Sequence, residues 1–87
     1  MRGTIVILRA YLGQPIVRNV WDVNEMVVYI TNDEYFQKLM AGADAPLPVG
    51  FPREDVFEYD PELAGSLEIL YQSGALDWEK LRKWRPE

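Results

Sequence analysis

With 87 residues, 48% of them hydrophobic and 26% charged, the chain has the composition of one small folded domain (residues 1–87), not of a disordered segment. It contains no cysteine and no histidine, which excludes disulfides, thiolate nucleophiles, Cys-based zinc sites and the usual general base near neutral pH. A formal net charge of −5 opposes nonspecific binding to phosphate backbones.

Residues 4–12, 16–22 and 26–30 are rich in Val, Ile, Tyr and Trp and are separated by turn-like residues, the pattern of three strands. Pro15 lacks the amide that would close a two-residue hairpin loop, so a four-residue loop over 12–15 is expected. Residues 22–25 supply the second turn, with Asn24 suited to a left-handed conformation. The first loop sets Tyr11 opposite Ile16, Arg9 opposite Arg18 and Val6 opposite Trp21. A second turn centred on Val23 and Asn24 sets Trp21 opposite Met26, Asn19 opposite Val28 and Arg18 opposite Tyr29.

Alternation along the strands then divides the sheet. One face carries Val6, Leu8, Ala10, Leu12, Val17, Trp21, Met26, Val28 and Ile30 and reads as the core. The other carries Ile5, Ile7, Arg9, Tyr11, Ile16, Arg18, Val20, Asp22, Val27 and Tyr29, with two arginines and two tyrosines near its centre. Two arginines directly opposite each other repel unless a carboxylate or an anion stands between them.

Thr31-Asn32-Asp33-Glu34 has the form of a capping box; Phe36, Leu39 and Met40 share one helical face, and Gly42 is placed as a stop. Residues 43–48 form a linker. In the stretch GFPREDVFEYDP (50–61), residues 52–55 read as a tight turn between extended segments 49–51 and 56–59. Asp60 caps the next helix with Pro61 at its first position; Leu63, Leu67, Leu70 and Tyr71 are its apolar stripe, and Gly74 ends it. Asp77 caps a last short helix bearing Trp78, Leu81 and Trp84, with Glu79 and Lys83 as an i, i+4 pair and Pro86 as the terminator. The order is β-β-β-α-β-α-α. The expected fold is α+β: a small curved antiparallel sheet of three long strands plus a short fourth, packed against two or three helices, an architecture open to curling into an SH3-like barrel.

Function is less legible. Ser66 and Ser73 have no histidine to activate them, and no phosphate-binding or nucleophile-elbow pattern occurs. The carboxylates between Glu54 and Glu62 do not follow a calcium-loop spacing. The chain therefore reads as non-catalytic, without cofactor or metal. Its early apolar run, residues 5–8, stops at Arg9, too short for a signal-peptide core or a membrane span, which points to a soluble, cytoplasmic protein.

Arg9, Tyr11, Arg18 and Tyr29 are the first candidate binding residues, because Tyr and Arg are enriched at the centres of protein interfaces. The same face is open to burial by a helix of the chain, with Glu62 or Glu68 neutralising the arginines, or to a small bound anion. The tail residues Trp78, Lys80, Arg82, Lys83, Trp84 and Arg85 are a secondary surface, mixing aromatics and cations as single-strand binders do. The function expected is a small acidic interaction module, self-associating or serving another protein as adaptor or regulator. The alternative is an anion-sensing or nucleic-acid-binding domain using the arginines or the tail.

Overall fold

The β-branched and aromatic runs take up the extended backbone that such residues favour. In a computed structural model that describes residues 1–86, β1 (Ile5–Arg9), β2 (Pro15–Val23) and β3 (Val27–Thr31) form an antiparallel meander. Helix α1 (Asp33–Met40) follows, then β4 (Val49–Pro52), a 3-10 turn (Arg53–Asp55) and β5 (Val56–Glu58). Two short helices, α2 (Pro61–Ala64) and α3 (Leu67–Gln72), and a 3-10 turn (Trp78–Lys80) come last. The sheet order is β4-β3-β2-β1-β5, all antiparallel. The fold is α+β, with β5 as one strand more than the sequence led us to expect.

The β4–β5 connection explains the sheet's shape. These strands lie at opposite edges, yet three residues join them. Four Cα steps reach about 14 Å at full stretch. The edges of a flat five-stranded sheet would stand about 19 Å apart. The sheet must therefore curl, although among the described residues no ladder joins β4 to β5 and no barrel closes.

Inside the curl lie Val6, Leu8, Val20, Val28, Ile30 and Val56, all buried, with Ile16, Val23, Phe51 and Trp84 packed around them. None of these residues belongs to a helix, so the sheet encloses this core largely by itself. The helical segments serve the outer face. There Ile7, Phe57 and Leu67 form a second core with Leu63, Ala64, Leu76, Trp78 and Leu81, while Phe36 of α1 meets Trp21 edge-on at 5.8 Å between ring centroids.

The register corrects the expected faces. Val6 pairs with Arg18, Leu8 with Ile16 and Arg9 with Pro15, three positions away from the expected pairing. An odd shift reverses the strand's parity, so β2 contributes Ile16 and Val20 to the inner core instead of Val17 and Trp21. The cause is the first turn. Residues 11–13 coil into a 3-10 turn with Leu12 at φ 59° and Gly13 at φ 75°, closed by the Ala10 amide donating to Gln14 O. Pro15 then opens β2 instead of ending the loop.

The second turn differs as well. Asn24 is not left-handed; its side-chain Oδ1 accepts from the amides of Met26 and Val27. Between Val20 and Asp22 the ladder slips by one residue at Trp21, whose carbonyl accepts from Arg2 Nε instead.

Local punctuation is largely as expected. Gly42 and Gly74 end their helices at φ 74°, and Asp60 and Asp77 cap through their side chains. The first cap moves by one residue, because Thr31 is still in β3 and Asn32 accepts from the Tyr35 amide. The expected helix over 61–73 breaks at Gly65–Ser66 into α2 and α3.

The tail is corrected most. After one 3-10 turn it runs extended, with the Glu58 amide donating to Arg82 O and the Trp84 amide to Val56 O. The exposed edge of β5 needs those partners, and that need overrides a weak helical pattern. Trp78 thus packs on the outer face and Trp84 on the inner core, so that residues 81–83 cross the edge of β5 as a strap.

Candidate functional site

The four residues expected to share a face are distributed over three settings. Arg9 is absorbed by the fold. Its Nε and Nη2 both meet Asp55 Oδ1 at 2.8 Å, Nη2 also donates to Glu54 O, and the guanidinium lies over the Phe57 and Trp78 rings at 5.4 and 5.7 Å. The carboxylate that neutralises it comes from the β4–β5 turn, not from Glu62 or Glu68. Tyr11 stands 84% exposed on the first turn. Tyr29 shares the parity of Arg9 but faces Asp22, at the far end of β2 from Pro15.

Arg18 is different. It lies on the inner-core side of β2, opposite Val6, at the rim where β3 gives way to α1. Its Nη1 donates to the neighbouring Val17 O at 2.8 Å, and among the described residues no carboxylate comes within 4.0 Å. Two depressions meet at it. One, of about 300 Å³, is lined by Ile5, Val17, Asn19, Asn32, Asp33 and Tyr59 together with Arg18. The other, of about 150 Å³, adds Ile30, Thr31, Tyr35, Pro46, Leu47 and Val49.

This neighbourhood leaves much apolar surface open: Leu47 is 83% exposed and Val49 58%, with Ile5, Val17 and Tyr59 also exposed. Asp33 is held by a hydrogen bond from the Asn19 amide group, which fixes the start of α1 against β2. Of these residues, Leu47, Val49, Tyr35 and Tyr59 were missed from sequence. A signal was present in Pro46-Leu47-Pro48, where an apolar residue between two prolines has no regular element to bury it.

The tail separates into structural and free parts. Trp78 donates from Nε1 to Gly13 O, and its ring stacks, tilted, on Phe57 at 4.9 Å. Lys83 Nζ donates to Glu54 O at 2.8 Å, and Arg82 stands loosely 3.9 Å from Glu58. Lys80 is exposed at the end of the 3-10 turn. Arg53, which sequence reasoning did not single out, joins Lys83, Arg85, Trp84, Pro86 and Glu54 around a depression of about 480 Å³.

Two edges of the sheet also differ in what they offer. The Arg53 amide donates to Met26 O, and hydrogen-bonded positions alternate along an antiparallel ladder. Hence Val49 and Phe51 turn their backbone groups toward β3, while Pro48, Gly50 and Pro52 turn outward. Two of those three carry no N–H. Gly50 is also closely packed, since a Cβ there would lie 2.6 Å from Val27 Cγ1.

Among the described residues no group of three acidic side chains gathers as a metal site, and no helix is long and apolar enough to cross a membrane. Comparison with family models, curated proteins and solved structures gives no match to this chain.

Proposed function

We propose that the chain is a small, acidic, non-catalytic protein–protein interaction module that engages its partner around Arg18. The observation supporting this reading is an arginine that has no carboxylate partner among the described residues, set among exposed Ile5, Val17, Leu47, Val49 and Tyr59. Arg and Tyr are enriched at interface centres, where surrounding apolar contacts exclude water. Arg18 keeps its place as the centre of this surface; Arg9 is assigned to the fold, and Tyr11 and Tyr29 lie outside the patch. The partner is a second copy or another protein, met in the cytoplasm, where a cysteine-free chain has nothing to lose to a reducing environment.

Sedimentation over a concentration series at low and high salt, on the wild type and Arg18→Ala, tests the reading. Mass that rises with concentration and falls back in the variant supports self-association through Arg18. Monomers throughout, together with pull-downs in which Arg18→Ala retains every partner of the wild type, overturn it. A second reading, binding of an anionic group at the tail, draws on the cluster of Arg53, Lys83 and Arg85.

A further inference from the structure

Beyond the Arg18 surface, the strap presents an open sheet edge with its own chemistry. Arg82 O and the Trp84 amide are turned toward β5. By the alternation of an antiparallel ladder, the backbone N–H and C=O of Lys83 and the N–H of Arg85 point the other way. Among the described residues none of these groups finds a partner within the fold. Beside them lies the depression lined by Arg53, Lys83, Arg85 and Trp84, with three cations to the one carboxylate of Glu54 among the described residues, in a protein of net charge −5.

We propose that this edge receives an extended acidic segment of another protein, which adds as a strand alongside residues 82–85. Main-chain hydrogen bonds to Lys83 and Arg85 would hold the segment. Its carboxylates would meet Arg53, Lys83 and Arg85, and an apolar side chain between them would rest on Trp84. The charges decide among occupants. A second copy of the same edge would bring cation against cation, the usual device by which proteins prevent edge-to-edge pairing. A nucleic acid would have to lay a continuous phosphate backbone past Glu54, which lines the same depression, and past Glu58 and Asp60, which line the one beside Arg82. A short acidic strand satisfies both the backbone groups and the cations. The β4 edge, with Pro48 and Pro52 turned outward, offers no equivalent.

The test is titration of the full-length ¹⁵N-labelled chain with a short end-blocked peptide alternating glutamate and valine, followed by amide chemical shifts. Three controls accompany it: the same peptide with lysine for glutamate, the acidic peptide N-methylated at alternate amides, and oligothymidylate. We expect saturable shifts centred on Lys83 and Arg85, none with the lysine peptide, and affinity weakened about tenfold or more by N-methylation or by Arg85→Glu. Protection of the Glu58 and Trp84 amides from exchange confirms that the variant keeps its strap. Arg18→Ala leaves the titration unchanged, so this edge and the Arg18 surface stand or fall separately. No shifts at millimolar peptide, equal binding of the N-methylated peptide, or displacement by a lower concentration of oligothymidylate would each overturn the proposal, the last in favour of a phosphate site.

Discussion

Arg9 on β1 and Arg18 on β2 carry the same guanidinium on adjacent strands, and their surroundings make them different objects. Arg9 meets a carboxylate, a carbonyl and two aromatic rings, all delivered by segments between residues 54 and 78. Among the described residues, the Arg18 side chain hydrogen-bonds only to the carbonyl of its own neighbour. Residue type therefore does not decide whether a charge is structural or available; what decides is whether the topology carries a complementary group to it. β5 lands beside β1, so its turn brings Asp55 to Arg9, while the segment after β3 brings Arg18 exposed Leu47 and Val49 beside Asn32 and Tyr35, and the nearby carboxylate of Asp33 is taken by Asn19.

The largest expected effect comes from removing the floor beneath Arg9. Phe57→Ala opens a cavity where the side chain is 1% exposed, and urea unfolding should show a loss of about 3–5 kcal/mol. Arg9→Ala comes next, with a loss of about 1–2 kcal/mol from a charge-assisted contact that is one-third exposed. If Arg9→Ala and Asp55→Ala prove additive in a double-mutant cycle, the pair is incidental and the contrast with Arg18 collapses.

Arg18→Ala should change stability by no more than about 0.5 kcal/mol while weakening association. A loss as large as that of Arg9→Ala would make both arginines structural. The smallest effect concerns the turn that sets them on different faces. Leu12→Gly removes the strain of a positive φ but loosens the unfolded chain, for a net gain of about 0.5 kcal/mol in the same unfolding measurement.

What the sequence disclosed was mostly local. Gly42, Asp60, Pro61, Gly74 and Asp77 act within a few residues of themselves, and each does what its chemistry predicts. Val6, Leu8, Val28 and Ile30 are inner-core residues as expected, because their strands keep their parity. β2 was misread because a leucine occupies a left-handed position that local rules give to glycine or asparagine, and because Trp21 inserts a bulge. The tail was misread for a different reason. Trp78, Leu81 and Trp84 at steps of three suit a helix, but they serve equally well in a strap that places its tryptophans on opposite sides of an edge. Of the candidate surface, Arg18 was visible as a residue type. The apolar ring around it was not, since Leu47, Val49 and Tyr59 come from segments that meet only after the sheet has curled.

The pairing of β1 with β5 has a kinetic consequence. Ile7 meets Phe57, fifty positions further along the chain, and Phe57 in turn meets Lys83. Neither edge contact can form by local zipping, so each must wait for a long loop to close. Proteins dominated by such distant pairings fold in milliseconds to seconds, where helical bundles of similar size take microseconds to milliseconds. The meander of β1, β2 and β3 can assemble early, but its first strand stays half-paired until the second half of the chain arrives. We therefore expect the slow step of folding to coincide with the completion of the outer core.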